Sequence, residues 1–208
     1  MANKPKHEHS DRDRIYTPEQ IVKTLISKIP AKPEDSWCDC CYGKGVFFNN
    51  FPTENKDFFE IDMGKDFLTS DKKFDWIVTN IPFSQPKTFI QKMSDNCIKG
   101  FGILCLANSM TASRLKELEK KGLFLNSASI LYIKDWGFGY RTDFYVFTKE
   151  RNPNFEVLIQ EKTKLNNKVG IPPKLHIAGE GLMPPQVFEI TSPNVKQIKE
   201  EDSTELAE

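Results

Sequence analysis

The sequence lacks an excess of charge of either sign. It holds 29 Lys and Arg residues and 29 Asp and Glu residues, so its formal net charge at pH 7 is zero. Proteins that bind long stretches of duplex nucleic acid usually have a strongly positive surface potential, because neutralising phosphates supplies most of their non-specific affinity. The balance argues against tight, extensive duplex binding and leaves room for a local basic rim.

Long hydrophobic runs are also missing. No segment has the roughly 18 consecutive apolar residues of a membrane-spanning helix, so we expect no transmembrane helix. Residues 1–14 are polar and charged, unlike a secretory signal, and we expect a cytoplasmic protein. Apolar residues make up 38% of the chain and include 16 Phe, which is enough for a substantial core.

Metal-ligating residues are few and scattered. An odd number of cysteines, three of them crowded together, argues against a disulfide framework. A zinc site would need a second cluster of ligands, which the dispersed histidines do not supply. We predict small buried thiols and no metal site. The residues concerned are Cys38, Cys40, Cys41, Cys97, Cys105, His7, His9 and His176.

Strand-like and helix-like segments alternate up to about residue 125. Helices are predicted at residues 16–30, 88–98 and 111–122. Residues 35–48 are predicted to hold a short strand, a glycine turn and the start of a helix, and further strands are predicted at 56–62, 73–80 and 100–108. In the first helix Thr17 is the predicted N-cap and Pro18 belongs to the first turn. Such alternation predicts an α/β fold with a doubly wound, mostly parallel, Rossmann-like sheet.

Two more strands, residues 128–135 and 141–149, have a link too short for a parallel crossover, so we predict an antiparallel hairpin at one sheet edge. The expected organisation is a flexible N-terminus at 1–14, a globular domain at 15–150, an irregular extension at 151–192 and an acidic disordered tail at 193–208.

The segment "DCCYGKG", Asp39 to Gly45, follows a strand and precedes a helix. Gly43 and Gly45 permit a tight turn with the backbone close to a ligand. The segment lacks the full G-x-G-x-x-G pattern, and Lys44 is not followed by the Ser or Thr of a P-loop, so phosphate cradling is not the favoured interpretation.

Acidic residues follow the next strand. Glu60 could accept hydrogen bonds from both hydroxyls of a ribose, or it could be an ordinary solvated acid. Asp62 is a near alternative. Asp66 could accept from an adenine amine with Phe67 beside the ring, or the pair could be a loop acid before a core Phe.

The third strand ends in Asn80-Ile81-Pro82-Phe83. An exocyclic amine on an aromatic ring is a poor nucleophile. The Asn80 side-chain oxygen and the Ile81 carbonyl, braced by Pro82, could accept its two hydrogens and favour the electron-rich nitrogen of the transition state. Phe83 could stack on a flat ring, worth about 1–3 kcal/mol for a nucleobase.

Taken in order, "YTP", "DCCYGKG", "FEID", "KDFL" and "NIPF" resemble the S-adenosylmethionine-dependent amino methyltransferases, particularly the adenine-specific DNA type. The resemblance covers about residues 16–149 and implies a class I methyltransferase fold with S-adenosylmethionine as cofactor. The implied cofactor-binding residues are Tyr16, Thr17, Pro18, Asp39, Gly43, Gly45, Glu60, Asp66, Phe67 and Asn80. The implied catalytic residues are Asn80, Ile81, Pro82 and Phe83.

The common form of the tetrapeptide has Pro where this chain has Ile81, and forms with Ile or Leu resemble the ribosomal-RNA adenine dimethyltransferases. Ser84 and Gln85 continue more like the DNA type. The predicted function is methyl transfer to the exocyclic amine of adenine in DNA. The alternatives are the same transfer to RNA or to a protein side-chain amide, and a non-catalytic binding module with this fold.

No Pro-Cys dipeptide occurs, which disfavours cytosine ring-carbon methylation through a thiol nucleophile. The predicted substrate-binding residues are Phe83, Ser84, Phe138, Tyr140 and Arg141, with Lys87 and Arg114 as weaker candidates for phosphate contacts. An alternative for the 136–145 segment is a hairpin with packing aromatics. The expected partner is nucleic acid, DNA before RNA, and the chain is expected to be a monomer whose target recognition a partner could supply.

Overall fold

The computed structural model describes residues 15–133, 141–160 and 175–177, with side chains described for 15–133 and 141–157. Contacts divide the chain into two units, 1–178 and 179–208, and every described residue belongs to the first. The predicted flexible N-terminus, the acidic tail, Phe138 and Tyr140 lie outside the described residues.

A six-stranded sheet forms the centre of the described unit, with strand order β2-β1-β3-β4-β6-β5. The first four of these strands are parallel to one another, and β6 runs antiparallel to both β4 and β5. The strands are β1 (Trp37–Asp39), β2 (Lys56–Phe58), β3 (Phe74–Asn80), β4 (Cys97–Leu106), β5 (Phe124–Leu131) and β6 (Thr142–Thr148).

The helices are α1 (Glu19–Ile26), α2 (Val46–Asn49), α3 (Pro86–Asn96) and α4 (Ala112–Lys120). Two buried clusters separate the helices into two sets. In one, Val22 and Leu25 of α1 lie with Val78 and Leu104 of the sheet. In the other, helices α3 and α4 bury Phe89, Ile90, Met93 and Leu118 with Ile77 and Phe101. Apolar residues therefore cover both faces, which confirms the predicted doubly wound, mostly parallel α/β fold.

The start of α1 differs from the prediction. The helix begins at Glu19, and its N-cap is Pro18, which makes no side-chain capping bond. The prediction that Thr17 caps the helix is therefore wrong. Thr17 is instead buried, and its Oγ1 atom has no hydrogen-bond partner. Pro18, with a φ angle of −58° and a ψ angle of 138°, occupies the N-cap position instead.

The predicted antiparallel strands are present as β5 and β6, which pair from Phe124↔Thr148 to Leu131↔Thr142. Beyond residue 150, a short pair of strands, β7 (Leu158–Gln160) and β8 (Leu175–Ile177), adds an antiparallel ladder to a segment expected to be irregular. In the part of the chain that the structure describes, no helix is both long and apolar enough to cross a bilayer.

Candidate active site

A cavity of about 310 Å³ opens where β1, β2 and β3 end. Parallel strands bring their carboxyl ends to one edge of the sheet, and loops after those ends are where doubly wound folds bind ligands. The predicted site residues that line this cavity are Tyr16, Thr17, Gly43, Glu60, Asp66, Phe67, Asn80 and Pro82. The fold thus brings predicted site residues as far apart in the chain as Tyr16 and Pro82 into one lining.

The glycine turn after β1 takes the backbone shape that its composition predicts. Gly43 and Gly45 have φ angles of 52° and 74°, which favour glycine. Glu60 Oε2 accepts a 2.7 Å hydrogen bond from the Gly43 backbone N–H. The carboxylate predicted to bind a ribose therefore also holds the turn in place. Its oxygens retain acceptor capacity, since an ionised carboxylate offers about four lone-pair sites.

An aromatic ring covers this turn. A Cβ atom added to Gly43 would lie 3.3 Å from the Tyr16 ring, and the Lys44 ammonium lies 4.2 Å from the centre of that ring. Tyr16 therefore forms a wall of the cavity, and any side chain at position 43 would press against it.

The acid predicted to contact an adenine has a local structural role as well. Asp66 Oδ1 accepts a 2.8 Å bond from the Leu68 N–H and caps a short 3-10 turn. Phe67 is 2% exposed and stacks on Phe89, with the two ring planes 11° apart. Asp66 presents a carboxylate at the cavity, while Phe67 contributes an apolar wall that continues into the core.

Asn80 has an unusual hydrogen-bond state. Its Nδ2 atom donates a 2.9 Å bond to the Ile15 carbonyl, which fixes the amide orientation because a carbonyl accepts only from the nitrogen side. Its Oδ1 atom is buried and has no partner. The side chain is thus anchored by its nitrogen, while its oxygen keeps its full capacity as a hydrogen-bond acceptor.

Asp39 lies beneath the turn rather than in the lining. It is 1% exposed, and its Oδ1 atom accepts hydrogen bonds from Thr79 Oγ1 at 2.7 Å and the Cys41 N–H at 3.2 Å. Its Oδ2 atom is buried without a partner. Burial raises the pKa of Asp39 to about 6, although these hydrogen bonds oppose the rise.

Three predicted site residues therefore each hold a buried oxygen without a partner: Thr17 Oγ1, Asp39 Oδ2 and Asn80 Oδ1. Buried polar atoms are nearly always hydrogen-bonded, and leaving one unpaired costs about 1–3 kcal/mol. Such a concentration at one end of the sheet is what a site for a ligand rich in hydrogen-bond donors would show.

Five of the predicted catalytic and cofactor-binding residues do not line this cavity: Pro18, Asp39, Gly45, Ile81 and Phe83. Gly45 instead gives room to Tyr42, whose ring would lie 2.5 Å from an added Cβ atom. Ile81 is buried, and its N–H donates to the Leu104 carbonyl. The sequence analysis did not select five other residues that line the cavity: Ile15, Cys41, Tyr42, Gln85 and Phe89. All but Phe89 lie inside or within two residues of a motif named above, and that position was the available signal.

A second cavity, of about 530 Å³, lies beside the tetrapeptide. Phe83 and Ser84 line it, whereas Asn80 and Pro82 line the first cavity. Gln85 belongs to both linings. The segment 80–85 is therefore the wall between the two cavities. Ile81 lines neither cavity, and Phe83, predicted to be both catalytic and substrate-binding, lines the second.

Arg141 directly precedes β6 and lines neither of the two cavities. Its Nη2 atom donates a 2.8 Å bond to Asp143 Oδ2, which also accepts a 2.8 Å bond from the Tyr145 hydroxyl. Asp143 Oδ1 is buried without a partner. Tyr132, 84% exposed at the carboxyl end of β5, was missed by the sequence analysis.

The clustered cysteines do not resemble reactive thiols. Cys40 and Cys41 both line the first cavity with their sulfur atoms 4.0 Å apart. Burial raises the pKa of each above the usual value for a thiol, so both remain protonated at neutral pH. Among the described residues, no group of three or more His, Cys, Asp or Glu side chains is placed to hold a metal ion.

No protein-family model and no curated protein matches the chain. Solved structures do match it. The M protein of the type I restriction enzyme EcoKI aligns with a TM-score of 0.52 and 15% identity, over 70% of this chain and 47% of that one. TrmN from Thermus thermophilus aligns with a TM-score of 0.45 and 15% identity, over 64% of this chain and 49% of that one.

Magnesium protoporphyrin IX methyltransferase from Synechocystis PCC 6803, solved with bound SAM, aligns with a TM-score of 0.46 and 11% identity, over 62% of this chain and 79% of that one. The chain thus spans about half the length of the first two of these proteins. At such identities the likeness concerns the fold alone. The six-stranded sheet, its helices on both faces and the strand β6 that runs against its neighbours make this a class I methyltransferase fold.

Proposed function

We propose that this chain transfers a methyl group from S-adenosylmethionine to the exocyclic amine of adenine in DNA. The observation that carries the proposal is the Asn80 side chain at the carboxyl end of β3. Its nitrogen is tied to Ile15, and its buried Oδ1 atom has no partner. An immobilised amide oxygen of this kind is suited to accept a hydrogen bond from an amine.

The first cavity fits the cofactor. Its lining includes the backbone of the glycine turn and the carboxylates of Glu60, Asp62 and Asp66. Acceptors of this kind suit ribose hydroxyls, an adenine amine and an ammonium group. Thr17, with its unpartnered Oγ1, faces the same space and can either donate or accept. Glu60 would hold the ribose and Asp66 the cofactor adenine.

When bound, S-adenosylmethionine supplies a methyl group on a positively charged sulfur, so transfer forms a nitrogen–carbon bond, breaks a sulfur–carbon bond and releases one amine proton. The protein supplies position and electrostatics. Asn80 Oδ1 and the Ile81 carbonyl would accept the two amine hydrogens and favour the nitrogen lone pair of the transition state. Phe83 would hold the flat ring from the second cavity.

DNA is the proposed polymer for two reasons. The M protein of the restriction enzyme EcoKI has a fold similar to that of this chain, with a TM-score above 0.5. In addition, Ser84 and Gln85, which resemble the DNA type, lie in the wall between the cavities. A duplex base must leave its stack to reach such a wall, and single-stranded DNA would enter at lower cost.

The test is methyl transfer from radiolabelled S-adenosylmethionine to four acceptors: duplex DNA, single-stranded DNA, RNA and a protein extract. We expect label in DNA, recovered after hydrolysis as N6-methyladenine. Label confined to RNA or protein would contradict the choice of polymer and retain the chemistry. No label in any acceptor, with no calorimetric binding of the cofactor at millimolar concentration, would reject the enzyme altogether.

A further inference from the structure

The second cavity differs from the first in charge. The first cavity is lined by three carboxylates, Glu60, Asp62 and Asp66, together with two lysines. The charged residues that line the second are Lys87 and Arg114, and no acidic residue of the described chain belongs to its lining. The two neighbouring cavities are therefore suited to ligands of opposite charge.

The other polar residues in the second lining strengthen this contrast. Ser84, Gln85, Thr88, Asn108 and Ser109 each carry a hydroxyl or a side-chain amide that can donate a hydrogen bond. A phosphate is purely an acceptor when ionised, so it matches a surface composed of donors and cations. Phe83 adds an aromatic face to the same cavity.

Helix direction adds a further favourable contribution for an anion. The 11-residue α3 starts at this cavity, where Pro86 occupies its first turn and its N-cap, Gln85, makes no side-chain capping bond. Arg114 lies in the first turn of α4. The unbonded N–H groups and the partial positive charge of a helix start both favour an anionic ligand.

From these observations we propose that the second cavity binds a phosphodiester of the acceptor strand, next to the nucleotide being modified, with Lys87 as the principal cation. This inference rests on the proposed function, because it assigns a polyanionic acceptor to that site. Arg114 is partly committed, since its Nη1 atom donates to the Ser109 carbonyl, and it supports the cavity wall. Lys87 is exposed at the start of α3 and can reach a phosphate at the mouth.

The assignment also explains how a chain of zero net charge can bind a nucleic acid. The attraction is concentrated at one cavity rather than spread over the surface. A small number of phosphate contacts predicts weak binding with a shallow dependence on salt, because each neutralised phosphate contributes about 0.7 to the slope for a single strand.

The experiment compares Lys87→Gln with Lys28→Gln in the full chain. Lys28 is an exposed lysine just after α1, at the opposite end of the sheet, so the two variants lose the same charge. The probe is a fluorescein-labelled, adenine-containing single-stranded DNA, titrated at several salt concentrations. We expect Lys87→Gln to weaken binding about 5- to 10-fold at low salt and to lower the magnitude of the salt slope by about 0.7, the value for one phosphate of a single strand.

Lys28→Gln should leave both quantities unchanged, and both variants should bind S-adenosylmethionine like the parent protein. Equal losses in the two variants, or no loss in Lys87→Gln, would overturn the inference. The titration, combined with the methyl-transfer assay, separates the cavity assignment from the proposed function. DNA binding that depends on Lys87, without methyl transfer, would reject the reaction and retain the cavity assignment. Methyl transfer that is independent of Lys87 would reject the cavity assignment and retain the reaction. No DNA binding by the parent protein would also reject the cavity assignment.

Discussion

Two buried aspartates near opposite ends of β1 have opposite electrostatic states. Asp35 precedes the strand and accepts hydrogen bonds from Trp76 Nε1 at 2.8 Å, the Lys32 N–H at 2.9 Å and the Lys99 ammonium. Burial alone would raise its pKa, but these donors together hold the pKa below the usual value. Asp39, at the end of the strand, has a pKa raised to about 6 by burial and one oxygen without a partner.

The contrast extends beyond these two residues. At the amino end of the sheet, Asp75 Oδ2 accepts from both the N–H and the hydroxyl of Ser36 at 2.9 Å. At the carboxyl end, Thr17 and Asn80 each have a buried oxygen without a partner. Trp37 Nε1 is an exception, a buried donor without a partner on β1 itself.

The difference shows which end of the sheet contributes stability and which end is arranged for a ligand. Satisfied buried polar groups hold a structure in one conformation, whereas unsatisfied ones cost stability unless a ligand supplies the missing donors. Functional sites are where this cost is usually found, together with shifted pKa values. Three variants and one matched control test the contrast.

The largest effect is expected for Asn80→Ala at the carboxyl end. Removing a preorganised group that stabilises a transition state typically costs about 10²- to 10³-fold in rate, so turnover should fall by that factor while cofactor affinity stays within about threefold. Single-turnover methyl transfer and calorimetry measure the two quantities. An equal loss in both would indicate that Asn80 is structural.

Asn96→Ala is the matched control for this variant. Asn96 is also buried, but its Nδ2 atom donates to the carbonyls of Ser70 and Lys72, both at 2.9 Å. Its loss should lower the stability of the fold without changing the rate per folded molecule. A similar loss of rate in both variants would remove the distinction between the two amides.

Asp35→Ala should produce the next largest effect, on stability alone. The Trp76 indole N–H and the Lys32 N–H would each lose an acceptor, and leaving a buried donor unpaired costs about 1–3 kcal/mol. We expect the free energy of unfolding in urea to fall by about 3 kcal/mol, with cofactor affinity unchanged at low denaturant. A loss of cofactor binding in fully folded protein would contradict the separation of the two ends.

Asp39→Asn should give a smaller, pH-dependent effect. Between about pH 4 and 6 the folded wild type binds more protons than the unfolded chain, because its Asp39 pKa is raised, so its stability should fall as pH rises through that window by about 2 kcal/mol. The neutral variant should lack this decline and be the more stable form above pH 6.

Urea denaturation at pH 4 and at pH 7 measures the effect. Asp35 does not interfere, because its lowered pKa confines its own contribution to lower pH, where stability is lost as the carboxylate is protonated. Parallel pH profiles for Asp39→Asn and the wild type would show that burial does not shift the Asp39 pKa as described.

Local sequence patterns predicted the elements well where a physical rule acts over neighbouring residues. The run from Phe74 to Asn80 is a strand, and Gly122, with a φ angle of 70°, follows the end of α4 as a stop signal predicts. The prediction that Thr17 caps α1 was wrong because a local rule and the tertiary structure favoured different positions for its side chain. Capping propensity favoured a surface role, while the tertiary structure turned its hydroxyl inward.

The site was predicted less completely. Glu60 and Asn80 could be selected because polar residues at strand ends suggest a ligand edge. Tyr42, Phe89 and Ile15 carried no such signal, since they look like core or loop residues until the loops are packed together. That Asp39 lies below the cavity, bonded to Thr79, depends on how β1 and β3 pair side by side.

By itself, the sequence determined the alternation of strands and helices, the glycine turn and the polar tetrapeptide at the end of β3, because each depends on residues near one another in the chain. Only the tertiary structure decided that segment 80–85 separates an acid-lined cavity from one lined by cations, and that hydrogen bonds are satisfied at one end of the sheet and left open at the other. Those properties arise from side chains far apart in sequence, whose distances and burial are set by packing.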